Sequence, residues 1–123
     1  MKFYYNNKLM RTSKTHEYKY AVVSFRTGEP VCLGCSATRS GAEAKITELT
    51  EWSRRNIASC ENALKALRSG RKYYDWVDGR RTCPVKLEVS DTEESFIESI
   101  ERSKAHIKQI HENCKIVELE ARP

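Results

Sequence analysis

Between Arg11 and Val23 the chain reads Arg-Thr-Ser-Lys-Thr-His-Glu-Tyr-Lys-Tyr-Ala-Val-Val. A guanidinium, three hydroxyls, an imidazole and two phenols lie in the run-up to an apolar segment. From Glu17 the residue types alternate, then become continuously apolar through Ala21, Val22 and Val23. A strand of this kind anchors one end in a core and presents its polar end outward. Arginine, hydroxyls and aromatics together suit a phosphate-bearing, ring-bearing ligand better than a catalytic step. The alternative is an edge strand with an ordinary solvated face.

Other binding groups are spread along the chain. Arg26 falls in a turn that can present it. Arg54 and Arg55 occupy the middle of one predicted helix, and Arg102, Lys104 and Lys108 follow one another along a second. If the helices pair antiparallel, Arg54 and Arg55 approach Arg102 and Lys104, and these charges repel unless an anion sits between them. Guanidinium groups grip phosphates bidentately, which makes phosphate the natural anion. Otherwise the long side chains reach apart into solvent. Tyr74 and Trp76 lie near Arg71, Lys72, Arg80 and Arg81. Such faces stack on bases, at about 1–3 kcal/mol each in single-stranded nucleic-acid sites; a place in the core is the other reading.

Catalytic signatures are missing. His16, His106 and His111 have no nucleophile beside them in sequence. There is no Gly-x-Ser-x-Gly, P-loop, H-E-x-x-H or dinucleotide fingerprint. Glu98 and Glu101 stand three apart, a spacing shared by many solvated carboxylates. We therefore expect no catalytic residues, no cofactor and no enzyme activity. Cys32-Leu-Gly-Cys35 has a spacing that can ligate zinc or cycle as a dithiol. No second such pair follows, and Cys60, Cys83 and Cys114 are isolated. The expectation is no metal, with small, partly buried strand cysteines.

At 123 residues, 39% of them hydrophobic, the chain has the size of a single domain with a modest core. Five cysteines, an odd number, suit free thiols in a reducing compartment. No run approaches the roughly 20 apolar residues of a membrane span. Met1 to Met10 is polar, without the apolar stretch of a signal peptide, so a cytoplasmic location is expected. The formal charge of +5 is uneven. Residues 1–90 carry 17 Lys/Arg against 9 Asp/Glu, whereas residues 91–123 carry 5 against 8. A basic first part suits an anionic partner, and the acidic remainder argues against long duplex nucleic acid.

These residues need elements to position them. Phe3–Tyr5 and Lys8–Met10 flank Asn6-Asn7, a tight hairpin signal. Tyr18–Phe25 and Val31–Cys35 form a second strand pair around Gly28 and Pro30. A helix follows from a capping box at Ser40-Gly-Ala-Glu43 to a stop at Gly70, roughly 44 Å long at 1.5 Å per residue. Its apolar stripe, Ile46, Leu49, Ile57, Cys60, Leu64 and Leu67, is interrupted by Ser53. After a turn at Asp78-Gly79, Val85–Val89 alternates as a strand. The second helix starts at Ser90 or Asp91, with Glu93 and Glu94 at its positive end. Its stripe, Phe96, Ile97, Ile100, Ile107, Ile110 and Cys114, is broken by Ser103. Ile116–Leu119 closes the chain as a strand. The expected class is α+β: an antiparallel β-sheet, two N-terminal hairpins plus later strands, decorated by two long helices that pair antiparallel at a subunit interface.

On the Arg11–Tyr20 stretch and this layout, the chain resembles a phage family, the first type of Thoeris anti-defence protein, a signalling-molecule sponge. The resemblance covers most of the chain as architecture and about ten residues as motif. It implies a homo-oligomer, dimer or hexamer, in the cytoplasm of the infected bacterial cell. Such a protein binds and sequesters, without degrading it, a cyclic ADP-ribose isomer that a TIR-domain enzyme makes from NAD, and so keeps the host effector inactive. Some members also trap cyclic trinucleotides. The resemblance assigns His16, Tyr18 and Arg26 to the ADP-ribose isomer, and Arg55 and Lys108 to phosphates. Lys108 stands for a family arginine, and a lysine forgoes bidentate recognition there, which counts against a trinucleotide site. Two other functions remain open. One is a phage inhibitor that touches a host defence protein directly, with acidic residues after Asp91 mimicking phosphates. The other is a single-stranded nucleic-acid module using Tyr74, Trp76, Arg80 and Arg81.

Overall fold

The computed structural model describes all 123 residues, Met1–Pro123. Two long helices and eight strands give an α+β fold, every strand pair being antiparallel. The strands divide into three small sheets where a single sheet was expected. The chain also forms two compact units, Met1–Leu49 with Gln109–Pro123, and Thr50–Lys108.

In the first unit, β1 (Lys2–Tyr5) and β2 (Lys8–Thr12) form the expected hairpin. Asn6 and Asn7 both take positive φ, 48° and 63°, which a two-residue turn matched to strand twist requires. The C-terminal β8 (Glu120–Arg122) pairs with the other side of β1. A second sheet has β3 (Tyr20–Ser24) between β4 (Val31–Ser36) and β7 (Cys114–Glu118). The unbroken Ala21-Val22-Val23 run has a direct cause, because β3 is covered on both faces. Ala21 and Val23 pack with Cys35, Tyr18, Phe25 and Val117 on one side. Val22 packs with Ala42, Cys114, Ile46 and Ile110 on the other. Phe3, 1% exposed, meets Tyr18 edge-on at 5.4 Å.

The first helix, α1 (Arg39–Arg68), contributes residues to both units. Its N-cap is Thr38, two residues before the predicted capping box: Thr38 Oγ1 accepts from the Gly41 N–H at 3.1 Å. Its C-terminus is the predicted glycine stop. Gly70 has φ +70°, and the Gly70 and Arg71 N–H groups donate to Leu67 and Ala66 at 3.3 and 2.9 Å.

In the second unit, β5 (Tyr73–Val77) and β6 (Thr82–Lys86) form a hairpin. The predicted strand Val85–Val89 therefore lies three residues too late, and Val89 is fully exposed. Pro84 fits because β6 is an edge strand, with no second neighbour to receive an N–H. The second helix, α2 (Glu93–Asn113), whose residues from Gln109 on belong to the first unit, starts later than Ser90 or Asp91. Asp91 closes a turn of its own, its carboxylate accepting from the Glu88 N–H at 2.8 Å. Thr92 and Ser95 instead cap α2 reciprocally. The core here is Cys60, Ala63, Leu64, Phe96 and Ile100. Ser59, completely buried, ties the hairpin to α1 by accepting from the Val77 N–H at 2.8 Å. No helix is long and apolar enough to cross a membrane.

Replacing Thr38 by alanine removes a cap hydrogen bond and is expected to cost about 1 kcal/mol. Urea unfolding checks this: a lower midpoint with an unchanged slope is expected, and an unchanged midpoint contradicts the assignment of Thr38 as the cap.

Candidate functional site

Within the second unit α1 and α2 run antiparallel, with residues of rising number on α1 meeting residues of falling number on α2. Ser53 meets His106, Asn56 meets Ser103 and Ser99, and Arg68 meets Glu93. The pairing thus occurs within one chain. Toward Arg68 the seam is apolar. From Thr50 to Ser59 the buried residues of α1 turn polar: Thr50, Ser53, Asn56 and Ser59 are all 6% exposed or less. The serines that break the two apolar stripes, Ser53 and Ser103, both lie in this polar stretch, against His106 and Asn56 respectively.

A buried amide or hydroxyl is costly unless hydrogen-bonded. Asn56 Nδ2 donates to Ser99 Oγ and to Ser103 Oγ, both at 2.9 Å, and its Oδ1 accepts from Cys60 Sγ at 3.8 Å. Ser53 Oγ and His106 Nδ1 stand 2.9 Å apart. No buried side-chain nitrogen or oxygen lacks a partner. A fully satisfied network holds its members in one arrangement, so the groups that reach its surface are preorganised.

Small side chains along the seam leave space between the helices. The resulting cleft, about 420 Å³, is lined by Trp52, Ser53, Asn56, Ser99, Arg102, Ser103 and His106. That volume lies within the range of about 300–1,000 Å³ common to small-molecule sites. Trp52 offers a flat ring at the cleft and is 66% exposed. Arg102 brings a permanent cation that can grip a phosphate or carboxylate through two parallel hydrogen bonds. The floor consists of hydroxyls, an amide and an imidazole. Ser53, 3% exposed, sets its hydroxyl 2.9 Å from the His106 imidazole. Ring stacking, anion capture and hydrogen bonding are what this arrangement can do.

Of the predicted helix residues, Arg102 alone lines the cleft. Arg54, exposed, donates from Nε to Thr50 Oγ1 at 3.2 Å. Arg55 pairs with Glu51, and its guanidinium packs on Gly79, whose φ of +91° and lack of a Cβ admit it. Lys108 lies on an exposed part of α2. Tyr74 packs edge-on against Phe96 at 5.9 Å, and burial, with Asp91 nearby, pushes its phenol pKa up. Trp76 is half-buried on β5 opposite Cys83.

In the first unit, the rings of His16 and Tyr18 stack at 5.8 Å and 10°. The Arg11 guanidinium lies 5.2 Å from the Tyr18 ring centroid. The His16 backbone N–H donates to Ser13 Oγ at 3.0 Å, and Thr15 Oγ1 lies 3.0 Å from His16 Nδ1. The polar run-up to β3 is thus folded into a short stack of imidazole, phenol and guanidinium. Arg26 is exposed in the β3–β4 turn.

Asn56→Ala would strip both serine hydroxyls and the Cys60 thiol of their shared partner. Leaving buried polar groups unmade costs about 1–3 kcal/mol, which should appear as a lower urea midpoint. Loss below about 0.5 kcal/mol, the range of ordinary surface substitutions, would contradict a structural role for the seam. Compared with protein-family models, curated proteins and solved structures, the chain matches none of them.

Proposed function

We propose that the protein is a non-catalytic binder of a small, anionic, ring-bearing molecule, and that it acts by sequestration. The carrying observation is the cleft of the second unit, where Trp52 and Arg102 stand over a fixed polar floor. Stacking on the indole and charge-assisted bonds to the guanidinium suit the ring and the phosphate of a nucleotide-derived ligand. The ligand we assign is a cyclic ADP-ribose isomer produced from NAD by a TIR-domain enzyme, on the resemblance carried by Arg11–Tyr20. Holding it unchanged keeps the responding effector inactive in the infected cell. Useful sequestration needs tight binding, and a nanomolar Kd corresponds to about −12 kcal/mol.

Self-association belongs to the same proposal. Trp52 at 66% and Ile97 at 42% exposure leave apolar area that a second copy would cover. Enclosing the cleft this way would remove water from the Arg102 contact and strengthen it. The single-stranded nucleic-acid reading is weaker, since Tyr74 packs against Phe96 and is not free to stack on a base.

Thermal-shift and native-mass measurements against cyclic ADP-ribose isomers, with NAD and linear ADP-ribose as controls, test this reading. One isomer should raise the melting temperature and be recovered unchanged after heat release. A hydrogen bond to a charged group contributes about 1.5–3 kcal/mol, so Arg102→Ala should weaken binding roughly 10- to 100-fold. Trp52→Ala should weaken it as well. Full affinity in both variants, or recovery of an altered ligand, contradicts the proposal.

A further inference from the structure

On a regular strand, residues three apart point to opposite faces. Cys32 and Cys35 lie three apart on β4, yet their sulfurs are 3.6 Å from each other. The cause is a bulge. In the β3–β4 register Val22 faces Gly34 and Val23 faces Cys32, so Leu33 is an extra residue without a partner. That insertion returns Cys32 to the face of Cys35, and the two cysteines oppose Val23 and Ala21. Around them are Tyr18, Phe25, Val117 and Leu119, all apolar or aromatic. The charged neighbour is Arg11, from β2, which acts on both sulfurs. Cys35 is buried and Cys32 only half-buried.

From this geometry we infer that Cys32 and Cys35 form a reversible dithiol–disulfide couple, with Cys32 the attacking thiolate, Cys35 the resolving thiol and a small-molecule disulfide the oxidant. A disulfide bond is about 2.05 Å long, so the sulfurs need approach by only some 1.6 Å to join. The electrostatics divide the roles in the same way. The hydrogen bond from Cys35, with help from the Gly34 backbone and then Arg11 and against the effect of burial, holds the Cys32 pKa down to about 6. The same bond and burial push Cys35 up. In the first step the Cys32 thiolate attacks one sulfur of the oxidant, whose S–S bond breaks and releases a thiolate. Cys35 then gives its proton to a released thiolate and attacks the Cys32 sulfur, displacing the second thiolate. Two protein thiols become one disulfide, and the oxidant takes up the two electrons. Oxidation also removes the negative charge facing Arg11, so the couple sets the charge beside the His16–Tyr18 stack. None of this depends on the ligand assignment above.

Native, reduced full-length protein treated with glutathione disulfide provides the test, read by intact mass and peptide mapping. The expected product is a single Cys32–Cys35 disulfide, reversed by reduced glutathione. Cys35→Ser should instead accumulate a glutathione adduct at Cys32, while Cys32→Ser should form no adduct at Cys35. Alkylation of Cys32 by iodoacetamide should rise with pH through about 6, where an ordinary thiol responds near pH ~8.5. The inference is overturned if Cys60, Cys83 or Cys114 reacts first, if a glutathione adduct on Cys32 persists in the unsubstituted protein, or if Cys32 stays unmodified while the urea-unfolded chain reacts.

Discussion

Two helices that meet through buried serine and asparagine must satisfy those groups within the seam, because an unpaired buried amide or hydroxyl would be costly. In the second unit this constraint is met by Asn56, which serves Ser99, Ser103 and Cys60 at once, and by the Ser53–His106 pair. Leucine at these positions would have closed the seam and added apolar stability of about 1.5–3 kcal/mol per fully buried side chain. Small polar residues give up that packing and leave a cleft. Trp52 and Arg102 then stand at the edge of a floor already fixed by its own hydrogen bonds. A site of this kind spends little binding energy on ordering itself, which favours a receptor whose task is to hold a ligand.

Much of the scaffold was legible in the sequence because its signals are local. Asn6-Asn7 specified a two-residue turn through positive φ, and Gly70 a helix stop for the same reason. Continuous apolarity at Ala21-Val22-Val23 reflected burial on both faces of β3. Errors arose where a side chain had two competing uses. Asp91 could cap a helix or a turn, and it caps the turn. Ser40 matched a capping box, but Thr38 comes first and takes the cap position. The division of the strands among three sheets is set by pairings such as β1 with β8, between opposite ends of the chain, and no local signal carries that.

The cleft was legible only in part. Ser53 and Ser103 stood out as breaks in two apolar stripes, but that both line one cleft depends on the helix register, which the stripes alone leave open. Charge drew attention to Arg54 and Arg55, whereas the helix turns Arg55 toward the β5–β6 hairpin and onto Gly79. Trp52 carries no charge and falls outside the stripe, so it gave no signal as a binding group. The spacing of Cys32 and Cys35 allowed a dithiol, but strand periodicity alone would put them on opposite faces, and their meeting depends on the bulge at Leu33.

The two tryptophans allow the central claim to be read directly, because Trp52 lines the cleft and Trp76 lies on β5. Indole N–H resonances, assigned by single substitutions and followed by nuclear magnetic resonance while cyclic ADP-ribose isomers are added, report on the two positions separately. Saturable movement of the Trp52 signal with one isomer, while the Trp76 signal stays in place, is the expected result. A Trp52 signal that stays fixed while that isomer binds, or while every isomer is tried to saturation, would contradict the assignment of the cleft as the binding site.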